Sequence, residues 1–214
     1  MKINPEILPR LIQAVAETID KNATEVTQLD QAIGDGDHVV NLQRGIHALQ
    51  AQSAEIGQLD WVGALQKIGM TLMSTVGGAS GSLYGTLFVT MSKALRDKAV
   101  DSQSFAAAFA QGVESVKLRG RAEAGEKTML DVLIPAAQTL QKSAAASLGL
   151  KDVLADIITA AETGVEATRN MLATKGRASF LGERTLGHID AGAKTAQLMI
   201  SAIAEAIESS AAPT

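Results

Sequence analysis

The chain has 214 residues and no cysteine, long enough to bury about 70% of the surface its unfolded form would expose. The missing cysteine excludes disulfides, thiolate metal sites, iron–sulfur clusters and cysteine nucleophiles. A net charge of −4 with 3% aromatic residues argues against nucleic-acid binding, which requires a basic surplus and stacking platforms.

Apolar spacing of i, i+3, i+4 runs through nearly the whole chain and predicts an all-α protein. Ile7, Leu8, Leu11, Ile12, Val15 and Ile19 mark the first helix, and Leu42, Ile46 and Leu49 the second. Trp61, Leu65, Ile68 and Leu72 mark the third; Leu83, Leu87, Met91 and Leu95 the fourth; Phe105, Phe109, Val113 and Val116 the fifth. Met129, Val132, Leu133, Ala136 and Leu140 give the sixth, Val153, Ile157, Ala161, Val165 and Thr168 the seventh, and Ala196, Ile200, Ile203 and Ile207 the eighth. No alternating strand pattern is present, and no apolar run reaches the ~18 residues of a membrane span. The expectation is one soluble, cytoplasmic domain over residues 1–214, with Ser209–Thr214 as a frayed tail and neither membrane nor nucleic acid as a partner.

Three breaks between helices are polar and ordinary: Ala51–Gly57, Arg96–Ser102 and Ser143–Leu150. Four are rich in glycine and charge: Gly34–His38, Gly77–Gly81, Arg119–Thr128 and Lys175–Gly192. In an up-and-down bundle successive loops alternate between ends, so these four are expected to crowd one rim. That rim would gather Asp30, Asp35, Asp37, His38, Ser80, Arg119, Lys127, Arg177, Arg184, His188, Asp190 and Lys194.

The first of these loops, with the end of the helix before it, carries three carboxylates, Asp30, Asp35 and Asp37, within eight residues. They repel one another unless a cation sits among them, and hard oxygen ligands of this kind suit Mg²⁺ with its phosphate partners. The competing reading is a solvated turn with Asp37 as a helix N-cap. An EF-hand fails on spacing, with Val39 at the fifth position and Ile46 where the bidentate Glu belongs. Gly77–Gly81 leads straight into a helix, where free amides attract an anion; close helix packing through small residues is the alternative. Gly120–Thr128 nearly spells a P-loop, but has one residue too many before Lys127 and no preceding strand. In the last segment Arg177 and Arg184 have the donors to clamp phosphate, with Glu183 a competing ion-pair partner for Arg184. His38 and His188 each read either as a general base or as a hydrogen-bonded structural residue. Together the loops offer what a magnesium–nucleotide site requires, without a protein nucleophile or a second substrate site.

Six motifs in order carry a resemblance across essentially the whole chain: Ala32–His38 with Asn41 and Arg44–Gly45, Gly69–Thr71, Gly77–Gly81, Gly125–Met129, Gly176–Arg184 and Gly187–Asp190. They resemble the L-subunit family of dihydroxyacetone kinases. The resemblance implies an antiparallel eight-helix barrel with a nucleotide, ADP or ATP, sealed in one end. It implies Asp30, Asp35 and Asp37 as ligands of two magnesium ions. His38, Val39, Val40 and Asn41 would lie beside the phosphates, which Ala79 and Ser80 hold. Gly120 and Met129 would lie near the nucleoside, with Arg177, Asp190, Ala191 and Gly192 as later contacts. The acceptor, a short ketose, would be held covalently on a separate K subunit. ADP would be a retained cofactor, rephosphorylated by a phosphohistidine-carrying phosphotransferase-system subunit. An ATP-dependent kinase with exchanging nucleotide and a non-catalytic nucleotide-dependent adaptor are the alternatives. The family usually has Gly where this chain has Val39, a bulkier residue that restricts φ.

Overall fold

The computed structural model describes residues 4–211, which are helical with no strand among them. A 3-10 turn at Pro5–Ile7 leads into α1 (Leu8–Lys21), α2 (Ala23–Ile33), α3 (His38–Ala51) and α4 (Ser53–Ile56). There follow α5 (Trp61–Thr75), α6 (Gly78–Leu95), α7 (Ser102–Gly120), α8 (Leu130–Ala145), α9 (Leu150–Ala167) and α10 (Ala191–Ala211). The all-α class expected from the spacing is therefore what is observed.

The boundaries differ from the expected ones in four places. The first expected helix breaks at Asn22, whose side-chain amide donates to the Thr18 carbonyl at 2.7 Å and competes with the helical ladder. The polar break at Ala51–Gly57 contains the one-turn α4. The Lys175–Gly192 segment is not structureless: Arg177–Thr185 is 3-10 helix, interrupted at Gly182 with φ 56°. Ser209–Ala211 are helical rather than frayed, and residues 212–214 of the expected tail lie outside the described residues.

Caps explain where helices start. Asp60 accepts the Gly63 amide at 2.7 Å ahead of α5, and Asp101 with Ser104 forms a reciprocal capping box ahead of α7. The apolar stripe of α1, Leu8, Leu11, Ile12, Ala16 and Ile19, is buried as its spacing predicts, each large side chain contributing roughly 1.5–3 kcal/mol.

α1 packs on α3 and α3 on α5; from α5 each helix packs on the next through α10, which returns to α1 and closes a ring. Ile19, Leu42, Leu65, Leu95 and Leu130 fill it, with Trp61 and Phe105 edge-to-face at 5.5 Å joining the starts of α5 and α7. α5 then runs about 22 Å to the opposite end, where α6 begins. There α3 and α10 also start, and the four glycine-rich loops meet through the hydrogen bonds described next. A small satellite cluster of Ile33, Ala173 and Ala178, with Leu181 against it, fastens the 3-10 segment to the end of α2.

Candidate functional site

Asp30 lies in the last turn of α2, and Asp35 and Asp37 in the loop that follows. One carboxylate oxygen from each lies within 4.8 Å of the others. The local backbone makes this possible. A Cβ on Gly34 would fall 2.2 Å from Asp30 Oδ1, so glycine lets the carboxylate lie over the chain. Asp30 Oδ2 accepts the His38 amide at 3.0 Å. Asp37 occupies the N-cap position of α3, as the competing reading has it, but its side chain makes no capping hydrogen bond. From the 3-10 segment, Arg177 Nε reaches Asp35 Oδ2 at 2.5 Å.

Behind the acidic loop the His38 ring ties three helix starts together. Its backbone opens α3, Nδ1 meets Ser80 Oγ of α6 at 3.2 Å, and Nε2 meets Thr195 Oγ1 of α10 at 2.9 Å. Desolvation of the ring lowers its pKa, against the opposing pull of Asp30, Asp37 and Asp35. Both ring nitrogens are engaged by hydroxyls, the arrangement of a hydrogen-bonded structural histidine. The α6 start is Gly77-Gly78, with Gly78 at φ 66° and no side-chain cap. Its first-turn amides therefore lack capping partners and, with the helix dipole, favour an anion. Asn41 packs beneath this turn: a Cβ on Gly77 would sit 2.6 Å from its Oδ1. Ala79 is exposed and Ser80 half-buried. Val39 is in the core, with helical backbone and no positive φ, so its bulk is absorbed among apolar neighbours; Val40 faces solvent.

The remaining loops form the far wall. Met129 is buried beside the first turn of α10: a Cβ on Gly192 would be 3.8 Å from the Met129 amide. Gly120 ends α7 against Leu83. Asp190 caps α10, its Oδ2 accepting the Ala193 amide at 2.7 Å, while its own amide donates to Thr168 Oγ1 at 3.1 Å. Although part of Asp190 reaches solvent, its carboxylate is enclosed by protein. Desolvation raises its pKa to about 6, against the pull of the Ala193 amide and of Lys127. Ala191 is buried beside it.

Other rim residues do not converge on the acidic loop. Arg184 Nε donates to the Leu181 carbonyl at 3.4 Å, and Lys194 pairs with Glu25 at 3.2 Å. Arg119 donates to Ser82 Oγ at 2.7 Å, and the His188 side chain is exposed. Lys127, expected as a rim cation, is 1% exposed at φ 60°. Its ammonium donates to the Thr168 carbonyl at 2.5 Å and to that of His188. Burial lowers its pKa. Asp131 accepts the amides of Gly125 at 2.5 Å and Thr128 at 2.8 Å. Thr195, Asp131 and the buried Tyr84 are not singled out by the sequence; Thr128-x-x-Asp131, with a carboxylate three residues on, is the one local signal among them.

This rim has the layout of a polyanion site: oxygen ligands for a hard cation beside three helix N-termini. Residues 32–205 match the DAK2 domain family. The chain is 39% identical over 194 residues to the "PEP-dependent dihydroxyacetone kinase 1, ADP-binding subunit DhaL" of Listeria innocua, across 91% of this chain and 92% of that protein. It is 38% identical over 192 residues to the "PTS-dependent dihydroxyacetone kinase, ADP-binding subunit DhaL" of Lactococcus lactis, across 89% and 92%. The dihydroxyacetone kinase of C. freundii, solved with AMP-PNP and Mg²⁺, shares the fold with TM-score 0.73 and 24% identity, over 93% of this chain and 33% of that one. No described helix is long and apolar enough to cross a membrane. With the match running from the acidic loop into α10, and relatives of nearly equal length that are kinase subunits, the chain belongs to the DAK2 domain family.

Proposed function

We propose that this chain is the nucleotide-binding subunit of a dihydroxyacetone-type kinase, passing a phosphoryl group from bound nucleotide to a short ketose held on a separate K subunit. The observation that carries the reading is the His38 ring, which joins the starts of α3, α6 and α10 directly behind Asp30, Asp35 and Asp37. In this reading the amides of Ala79 and Ser80 and the His38–Asn41 turn hold the phosphates. Gly120, Met129, Ala191 and Gly192 line the nucleoside side, and Arg177 and Asp190 complete the contacts.

The donor set fits magnesium. Oxygens around an octahedral Mg²⁺ with bonds of ~2.1 Å lie about 3.0 Å apart when adjacent and about 4.2 Å apart when opposite. The three carboxylate oxygens, within 4.8 Å of each other, need to approach by up to about 1.8 Å to reach the adjacent spacing. Bound by Asp30, Asp35 and Asp37, two such ions would neutralise phosphate charge during an in-line displacement. The chain's own part is positioning. Asp30 is fixed by the His38 amide, Ser80 by the imidazole, and the α10 start by Asp190.

Relatives described as ADP-binding, and as dependent on PEP or the PTS, support ADP as a retained cofactor recharged by a phosphohistidine carrier. The test is mass spectrometry of nucleotide released on denaturation after exhaustive dialysis in Mg²⁺ buffer. Near-stoichiometric ADP is expected, and Asp35→Asn should abolish its retention while leaving the helical circular dichroism intact. Reversible binding of ATP and ADP to an empty protein would move the assignment to an ATP-dependent kinase subunit. No binding of either would overturn the site.

A further inference from the structure

Thr195 is fully buried one turn into α10, where a valine would fill the same space without a polar atom to satisfy. Its hydroxyl makes two bonds of opposite sense. It donates to the Gly192 carbonyl three residues back, at 3.1 Å. With its single proton committed there, the oxygen meets His38 Nε2 at 2.9 Å as an acceptor. The imidazole therefore carries its proton on Nε2, and Nδ1 is left to accept from the Ser80 hydroxyl at 3.2 Å.

The helix itself does not need this hydroxyl. Back-bonding to a preceding carbonyl adds little and slightly disfavours helix. The buried Tyr84 hydroxyl is a second neighbour of Thr195 and interacts with it, though outside the distance and angle of a regular hydrogen bond. What the Thr195 hydroxyl does is orient a ring that touches two other helices.

We propose that Thr195 is a positioning residue that fixes the tautomer and orientation of His38, and so holds the first turn of α6, with its uncapped amides, against the starts of α3 and α10. The functional consequence rests on the nucleotide reading of the rim, whereas the tautomer does not. If Thr195 is lost, Nε2 loses its acceptor. The ring is then free to shift its proton to Nδ1 and reverse the bond with Ser80, loosening the turn that would face phosphate.

The test pairs Thr195→Val, which keeps the shape, with Thr195→Ser, which keeps the hydroxyl. Long-range ¹H–¹⁵N correlation spectra of the ligand-free protein report the tautomer, with the exposed imidazoles of His47 and His188 as references. Wild type and Thr195→Ser should show His38 protonated on Nε2, and Thr195→Val should lose that signature. Equilibrium dialysis with ADP and Mg²⁺ should show Thr195→Val weakened about tenfold, near the weight of one hydrogen bond, with Thr195→Ser within about threefold of wild type.

A wild-type ring protonated on Nδ1 overturns the inference whatever the nucleotide result. Equal ADP binding by wild type and Thr195→Val overturns it as well. Should Thr195→Val fail to fold, a tenfold loss in Thr195→Ser would do the same, because that variant retains the proposed bond. If wild type binds no ADP, it is the nucleotide reading that fails, and the tautomer measurement still decides the role of Thr195.

Discussion

Arg177 Nε lies 2.5 Å from Asp35 Oδ2, so the 3-10 segment carries its own cation into the carboxylate cluster. Three clustered carboxylates repel, and the guanidinium relieves part of that repulsion. Both side chains reach solvent, Arg177 being 73% exposed, so the pair is worth roughly 0–1 kcal/mol and yields readily to a divalent ion. Arg177→Gln should therefore tighten Mg²⁺ binding to the nucleotide-free protein by up to about fivefold at low salt, the factor such a pair allows. Calorimetric titration with Mg²⁺ checks this; weaker binding by the variant would mean that arginine and metal do not compete.

Lys127 is a staple. Its ammonium joins the end of α9, at the Thr168 carbonyl, to the His188 carbonyl two residues ahead of Asp190. Lys127→Met preserves the stem and removes the ammonium from both carbonyls, leaving that of Thr168 with the Met171 amide at 3.1 Å. Hydrogen bonds to charged groups contribute about 1.5–3 kcal/mol, partly offset here because the variant no longer desolvates an ammonium. A net loss of about 1–2 kcal/mol in urea unfolding is expected, with faster amide exchange concentrated in residues 186–192. Unchanged stability together with unchanged exchange there would remove Lys127 from its structural role.

The acidic loop and the Gly77–Gly81 turn were legible because their side chains declare their chemistry within a few residues of one another. The class of fold was equally legible, since Leu8, Leu11, Ile12 and Ile19 announce a buried helical face. The knot behind the loops was not. His38 and Thr195 are 157 residues apart in the chain, and a threonine in an alanine-rich helix looks like any helical residue. Lys127 reads as a surface cation because nothing local signals a left-handed backbone or an ammonium turned inward onto carbonyls. The break at Asn22 depends on one side-chain amide bonding a carbonyl four residues back, a choice that apolar spacing does not record.

Gly164 sets the distance between α9 and α8. A Cβ there would fall 2.3 Å from the Asp131 carbonyl oxygen and 3.1 Å from Val132 Cα, both backbone atoms that cannot swing aside. Gly164→Ala would gain about 1 kcal/mol of helix propensity against an overpacking cost of about 1–3 kcal/mol or more, so a lower melting temperature is expected. Because Asp131 holds the amides of Gly125 and Thr128, amide shifts in an NMR spectrum should extend through residues 125–129. A variant more stable than wild type would show that α8 and α9 can separate freely.

Asp190 gives the ligand-free protein an acid-side signature opposite to that of an ordinary aspartate. Its pKa rises from 3.8 to about 6 on folding, chiefly through desolvation. Between those values the native state holds more of this proton than the unfolded chain, so the contribution of Asp190 to stability falls as pH rises through the window. The cost of burying its charge is absent below about pH 4 and fully present above about pH 6. Asp190→Asn keeps an oxygen to accept the Ala193 amide, since asparagine is as good an N-cap as aspartate, and carries no charge to bury. In nucleotide-free protein, the stability of Asp190→Asn minus that of wild type should therefore grow from pH 4 to pH 6.5 and then level off. Urea unfolding across that range, compared at each pH to cancel the other carboxylates, measures the difference. A flat difference would mean that Asp190 titrates alike in both states, and a falling one that Lys127 and the Ala193 amide outweigh its desolvation.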